Sequence, residues 1–211
     1  MKPIKIKKAY DVICPYCYLG MEAFEEASRN TGIPVEFEHQ PFLLHNGVPF
    51  EGVRIGDYLG HLSAEQRTSM FTGQQAAAAA LGIQIKDGDD LIVRNSIAAH
   101  IAIDYAGRFG KANDALRALF KAHFTDQTPI DRVPKIVEVL RDVIPDLDVD
   151  ELTAELNDPQ NVARVQRAAE EARAAGVESV PNYEINGVPL GGSLSAADAE
   201  RVLREFAEVA A

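Results

Sequence analysis

Apolar and basic positions alternate at the start of the chain: in IKIKKAYD, Ile4 and Ile6 are separated by Lys5 and followed by Lys7. Side chains on a strand point to opposite faces with a period of two, so this pattern predicts a strand over Ile4–Asp11. From Pro15 the pattern changes to PYCYLGMEAFEEASRNTG, which has helical composition and a stop signal at Gly32. A second alternation follows in IPVEFEHQPF, where Val35, Phe37 and His39 share a phase against Glu36 and Glu38. It predicts a strand that ends before Pro41. Strand, helix and strand within about forty residues imply a βαβ unit with a parallel pair.

From about Gly56 to Ala175 the periodicity is helical and rich in alanine. Turn signals break it at KDGDD (86–90), GRFGKAND (107–114), DQTPIDRVP (126–134) and IPDLDVD (144–150). IAAHIAIDYA and DALRALFKAHF carry apolar residues three and four apart, as packed amphipathic helices do. Strand patterns return in VPNYEINGVPLGG. Asn186-Gly187 stands between Tyr183/Ile185 and Val188–Leu190, and Asn-Gly is a hairpin turn signal because both positions must tolerate positive φ. SLSAADAERVLREFAEVA closes the chain as a helix, with Ser195 as N-cap and Asp198 completing a capping-box-like pair. The layout is α/β: βαβ, a helical block, then ββα. It describes a thioredoxin-like fold, residues 1–55 and 176–211, carrying a large all-helical insertion at 56–175. The last helix of that insertion can be counted with either part.

Charge narrows the partners. Lys and Arg total 21 against 32 Asp and Glu, a net charge of −11. Such a surface repels nucleic acid and anionic lipid, so neither is expected as a partner. The basic opening MKPIKIKKAY is followed by no apolar run of signal-peptide type, and QQAAAAALGI (74–83) is too short to span a bilayer. A cytoplasmic location is the expectation; the pattern sets no oligomeric state.

The chain's two cysteines lie three positions apart, in DVICPYCYLG. In a reducing cytosol such a pair is more often catalytic or metal-binding than a structural staple. Cys14 falls where the first strand meets the first helix, with Pro15 at a position where its missing N–H costs nothing. Free N–H groups and the positive end of the helix dipole then favour thiolate over thiol at Cys14. Cys17, one turn further in, is expected to be more buried, suited to resolving the mixed disulfide that Cys14 forms. Pro15 and Tyr16 set the geometry between the sulfurs. Other readings stay open. Two cysteines supply half of a zinc site, yet His39, His45, His61, His100 and His123 show no ligand-like pairing. A cluster shared between chains, or two inert buried thiols, would use the same residues. Val180-Pro181, just before a strand, would ordinarily be a trans pair.

DVICPYCYLG, followed by Pro41-Phe42, RNSIAAH (94–100), LFKAHF (119–124) and VPNYEINGVPLGG, resembles the DsbA family of thioredoxin-like proteins, and its FrnE-type branch in particular. The resemblance covers nearly the whole chain. It implies a protein-disulfide oxidoreductase with Cys14 as nucleophile, Cys17 as resolving thiol and Pro181 in the cis form. The Val180 backbone would lie beside the sulfurs and pair with an extended substrate. Asn95 and His100 would lie on the insertion facing the groove, although caps or ordinary helix polar positions account for them equally well. No tightly bound cofactor and no metal are implied. The working group is the Cys14–Cys17 disulfide, with glutathione an admissible co-substrate and a disulfide- or thiol-containing protein or small molecule as partner. Two departures stand out: Gly191-Gly192-Ser193 where the family commonly has Gly-Ala-Gln, and Asn182-Tyr183 after Pro181 where two aromatic residues are usual. A related branch of glutathione-dependent isomerases and transferases, the kappa-class and hydroxychromene-carboxylate types, is the alternative; those typically carry serine at the first cysteine position.

Overall fold

The computed structural model describes residues 2–45, 47–49, 51–86 and 88–209. β1 (Ile4–Tyr10) runs parallel to β2 (Val35–Pro41), and the two are joined by α1 (Pro15–Thr31). β5 (Asn182–Ile185) and β6 (Val188–Gly191) complete one sheet in the order β2-β1-β5-β6, with β5 antiparallel to both neighbours. Asn186 (φ 52°) and Gly187 (φ 81°) form the turn between them, the left-handed pair that the Asn-Gly signal requires.

α1 and α9 (Ala196–Val209) pack together on one face of this sheet. Phe24 of α1 meets Phe37 and Tyr183 edge-on, at ring separations of 6.1 and 5.0 Å, which ties the helix to both sides of β1. α1 ends where Gly32 turns left-handed at φ 69°. The Ser195 hydroxyl accepts from Asp198 N–H at 3.1 Å and caps α9; Ala210, the last residue of the expected helix, lies outside the described residues.

Between the halves stand β3 (Val53–Arg54), α2 (Ile55–Tyr58), α3 (Ala64–Ala80), β4 (Ile92–Val93), α4 (Ile97–Gly107), α5 (Ala112–Phe124), α6 (Val133–Arg141), α7 (Val149–Asn157) and α8 (Pro159–Ala174). The insertion is helical as expected, with one difference: Ile92–Val93 pairs antiparallel with Val53–Arg54. Such a pairing joins distant segments and leaves no local period to recognise. α4 is apolar around most of its surface and sits at the centre of the insertion, against α5, α6, α7 and α8. α8 packs on both α4 and β2, and Gln40 Nε2 donates to Ala168 O at 2.8 Å across that second contact.

Three boundaries differ from the sequence pattern. β1 ends at Tyr10 because the Asp11 carboxylate turns to accept from Ile13 N–H, and Asp11 O accepts from Cys14 N–H. β2 includes Pro41, which an edge strand tolerates because no partner needs its missing N–H. A further helix break falls at Asp158-Pro159, where the Asp158 carboxylate accepts from Gln160 N–H at 2.8 Å. Of the 86–90 break, Asp87 lies outside the described residues. No helix among the described residues is long and apolar enough to cross a membrane.

Candidate active site

Cys14 is the N-cap of α1, in extended conformation, with Pro15 at the first helical position. Its carbonyl accepts from Cys17 N–H at 3.0 Å, so the first turn starts at the cysteine itself. The side chain departs from the sequence expectation: it receives no capping hydrogen bond. Cys14 Sγ instead lies 3.5 Å from Val180 O and donates to it, a contact only the protonated thiol can make. Cys17 is completely buried, and both cysteines are free thiols here. Burial is the largest cause that pushes the Cys17 thiol well up, followed by a hydrogen bond to Cys14 and the Cys14 charge; the Asp11 backbone and the Lys8 charge oppose these and lose.

The Val180–Pro181 peptide is cis. Pro181 O accepts from Gly192 N–H at 3.3 Å, which joins this loop to the end of the hairpin.

A cleft of about 260 Å³ opens beside Cys14. Cys14, Pro15, Tyr16 and Val180 form one wall; Ile55, Leu59, Met70 and Phe71 from α2 and α3 face them. Polar atoms are few. His123 reaches the cleft from α5, and burial lowers it to about 4, so the ring is neutral at neutral pH. Burial likewise lowers His45, whose Nδ1 lies 2.6 Å from Tyr58 Oη. The cleft therefore suits apolar matter beside a sulfur nucleophile.

Two sequence candidates lie elsewhere. Asn95 Oδ1 accepts from Ile97 N–H at 3.0 Å at the start of α4, and its side chain borders a separate hollow with Val48 and Asp131. His100 is buried behind the active-site loop, its ring 5.0 Å from that of Tyr10 and its Nε2 3.6 Å from Asp11 Oδ1. It faces a different cavity, shared with His39 and Arg164, and is not a wall of the cleft beside Cys14.

What His100 does touch was not a sequence candidate. Asp11 is completely buried, and burial alone would raise its pKa. Hydrogen bonds and charge from His100, with Ser96 and the Leu44 N–H, more than offset that and hold it low. The Leu44 N–H lies 2.7 Å from Oδ2, so Asp11 clamps the loop after β2 to the loop that carries Cys14. Lys8 was also missed, although its phase shows it: it shares the inward parity of Ile6 and Tyr10, and all three are buried. Among the described residues no three His, Cys, Asp or Glu side chains gather as a metal site would need.

Comparison with known proteins agrees with the fold. Residues 5–205 match the family model of the DSBA-like thioredoxin domain. A probable DsbA oxidoreductase from Streptomyces coelicolor superposes with a TM-score of 0.83 at 24% identity, over 97% of this chain and 90% of that one. The cytosolic disulfide reductase DsbM from Pseudomonas aeruginosa, in its structure with GSH, gives 0.62 at 17%, over 98% of each chain. A 2-hydroxychromene-2-carboxylate isomerase gives 0.65 at 14%, over 98% of this chain and 95% of that one. At these identities the likeness is one of fold. No curated protein matches the chain.

Proposed function

The chain belongs to the DsbA-like thioredoxin domain family, and from that premise we propose that it is a thiol–disulfide oxidoreductase working through Cys14 and Cys17. The supporting observation is the asymmetry of the two sulfurs: Cys14 lines an apolar cleft at a helix N-terminus, and Cys17 is sealed behind it. Cys14 as thiolate attacks one sulfur of a substrate disulfide. A mixed disulfide forms and the first substrate thiolate leaves. Cys17 then attacks Cys14 Sγ, the Cys14–Cys17 bond forms, and the second substrate thiol departs with the two electrons the dithiol has lost. The same steps in reverse oxidise a dithiol.

The Val180 carbonyl, next to the cis bond, is the backbone acceptor that an extended substrate would take over from the Cys14 thiol. Pro15 and Tyr16 line the approach. The substrate is a disulfide-containing peptide or small molecule with apolar flanks, and glutathione is the co-substrate that restores the dithiol. No resident cofactor is required, and the proposed location is the cytoplasm, as for the DsbM enzyme of like fold.

The test is turnover of insulin and glutathione disulfide with wild type, Cys14→Ser and Cys17→Ala. Loss of exchange in Cys14→Ser, with trapped mixed disulfide in Cys17→Ala, is expected. Full exchange in Cys14→Ser would overturn the proposal. Isomerase turnover that survives in Cys17→Ala would instead favour the glutathione-dependent branch.

A further inference from the structure

Behind Cys17 lies a group that the exchange scheme leaves unused. Lys8, in the middle of the central strand β1, is completely buried, and its Nζ has no hydrogen-bond partner. Only ring faces lie against it, Phe37 at 4.6 Å and Tyr10 at 5.1 Å. Its cross-strand partner Tyr183 is equally buried, with an unpartnered hydroxyl, and both residues act electrostatically on Cys17. An enclosed amine and an enclosed phenol thus share the space behind the resolving thiol.

Cys17 cannot ionise readily there, because burial opposes the charged form. In the mixed disulfide, however, Cys14 carries neither a charge nor a thiol proton. Two of the causes that hold the Cys17 proton vanish at the moment Cys17 must lose it. The proton still needs a destination, and solvent does not reach the site. Burial, the largest influence, lowers Lys8 to about 7, aided by Arg117 and countered by Cys17 and Glu22, so a neutral amine is available near neutral pH.

We propose that Lys8 is the proton acceptor of the resolving step, taking the Cys17 proton directly or across one water as Cys17 attacks Cys14. This rests on the oxidoreductase reading above. The balance is simple. The Cys17 S–H bond breaks and a third N–H bond forms at Nζ. The freed electron pair makes the Cys17–Cys14 bond, and the Cys14–substrate bond breaks with its pair leaving on the substrate sulfur. Lys8 later returns its proton to solvent, and the ammonium meanwhile stabilises the thiolate beside it.

The groups facing Lys8 are Cys17 and Glu22 on α1, Arg117 on α5, Tyr10 on its own strand, His39 on β2 and Tyr183 on β5. Burial lowers His39 to about 3 and pushes both tyrosines up, and Glu22 is ion-paired to Arg117 at 2.8 Å. An inflection near neutral pH in the resolving step therefore belongs to Lys8.

The experiment mixes reduced full-length protein with 5,5′-dithiobis(2-nitrobenzoate) in a stopped-flow instrument between pH 5 and 9. The first nitrothiolate reports attack by Cys14, and the second, unimolecular release reports resolution by Cys17. In wild type the second phase should rise with pH and level off above about 7. Lys8→Met should slow it at least tenfold at pH 7.5 and remove the inflection, leaving the first phase within twofold. Lys8→Arg keeps a cation but cannot accept a proton and should be as slow. A fast Lys8→Arg would show that charge alone matters and overturn the proposal, as would a wild-type profile without inflection between pH 6 and 8, whatever the variants do. If wild type releases only one nitrothiolate, the oxidoreductase reading fails; if it releases two and Lys8→Met matches it in rate and profile, this inference alone fails.

Discussion

At the scale of single residues, the buried charges Lys8 and Asp11 have opposite effects on stability. Lys8 has a folded-state pKa of about 7 against an ordinary 10.5, so between those values the unfolded chain holds more protons and stability rises with pH. Below about 7 the penalty for burying the ammonium is fully present. Lys8→Met should therefore unfold later than wild type at pH 6, by on the order of a few kcal/mol, and the gap should shrink by pH 10. Urea midpoints at the two pH values measure this; a gap that does not narrow would mean the amine is already neutral at pH 6. Asp11 runs the other way. Its depressed pKa contributes stability that is present above about 3.8 and is lost as pH falls through the folded-state value. Asp11→Asn places an amide donor against the N–H groups of Ile13 or Leu44 and should cost about 2–3 kcal/mol at pH 7, less below pH 4. Neither effect was legible in the cysteine motif. The inward phase of Lys8 can be seen in the sequence, but the partners of Asp11 lie 33 and 89 positions away, at Leu44 and His100.

At the scale of elements, α1 contains a contest between helix propensity and packing. Gly20 is mid-helix, where alanine would ordinarily stabilise by about 1 kcal/mol. A Cβ there would meet Tyr183 Oη at 2.0 Å, and Tyr183 is fully buried with no room to retreat. Gly20→Ala should thus destabilise by about 1–3 kcal/mol despite its better propensity. In a Tyr183→Phe background the nearest atom is Cζ at 3.2 Å, so most of the loss should return, as a double-mutant cycle of thermal or urea unfolding would show. The helix was legible from composition, the Pro15 start and the Gly32 stop, and the Asn186-Gly187 hairpin from its turn chemistry, since these signals act within a few residues. The glycine's purpose was not, because its neighbour comes 163 positions later.

At the scale of the whole molecule, the substrate cleft exists because the insertion brings α2 and α3 over the end of the sheet where Cys14 and Val180 meet. Phe71 has no other part in the site, and its loss removes apolar area from the wall alone. Phe71→Ala should lower kcat/KM on an apolar disulfide peptide about tenfold, the equivalent of ~1.4 kcal/mol, with unchanged reaction toward a small aromatic disulfide. Equal rates on the peptide would place its docking elsewhere. Asn95 and His100 mark the limit of pattern and resemblance at this scale: both were assigned to the groove, yet one caps α4 and the other faces the far side of the Asp11 loop. By itself the sequence determined the order of strands and helices, their turns and caps, and the placement of two cysteines at a strand–helix junction. All of these follow from periodicity and local backbone chemistry over spans of a few residues. Only the tertiary structure decided which side chains stand behind Cys17, which carbonyl faces Cys14 and which helices wall the cleft. Those contacts join residues from β1, α1, α3, α5 and the cis-proline loop, and a packing relation among distant segments leaves no period in the chain.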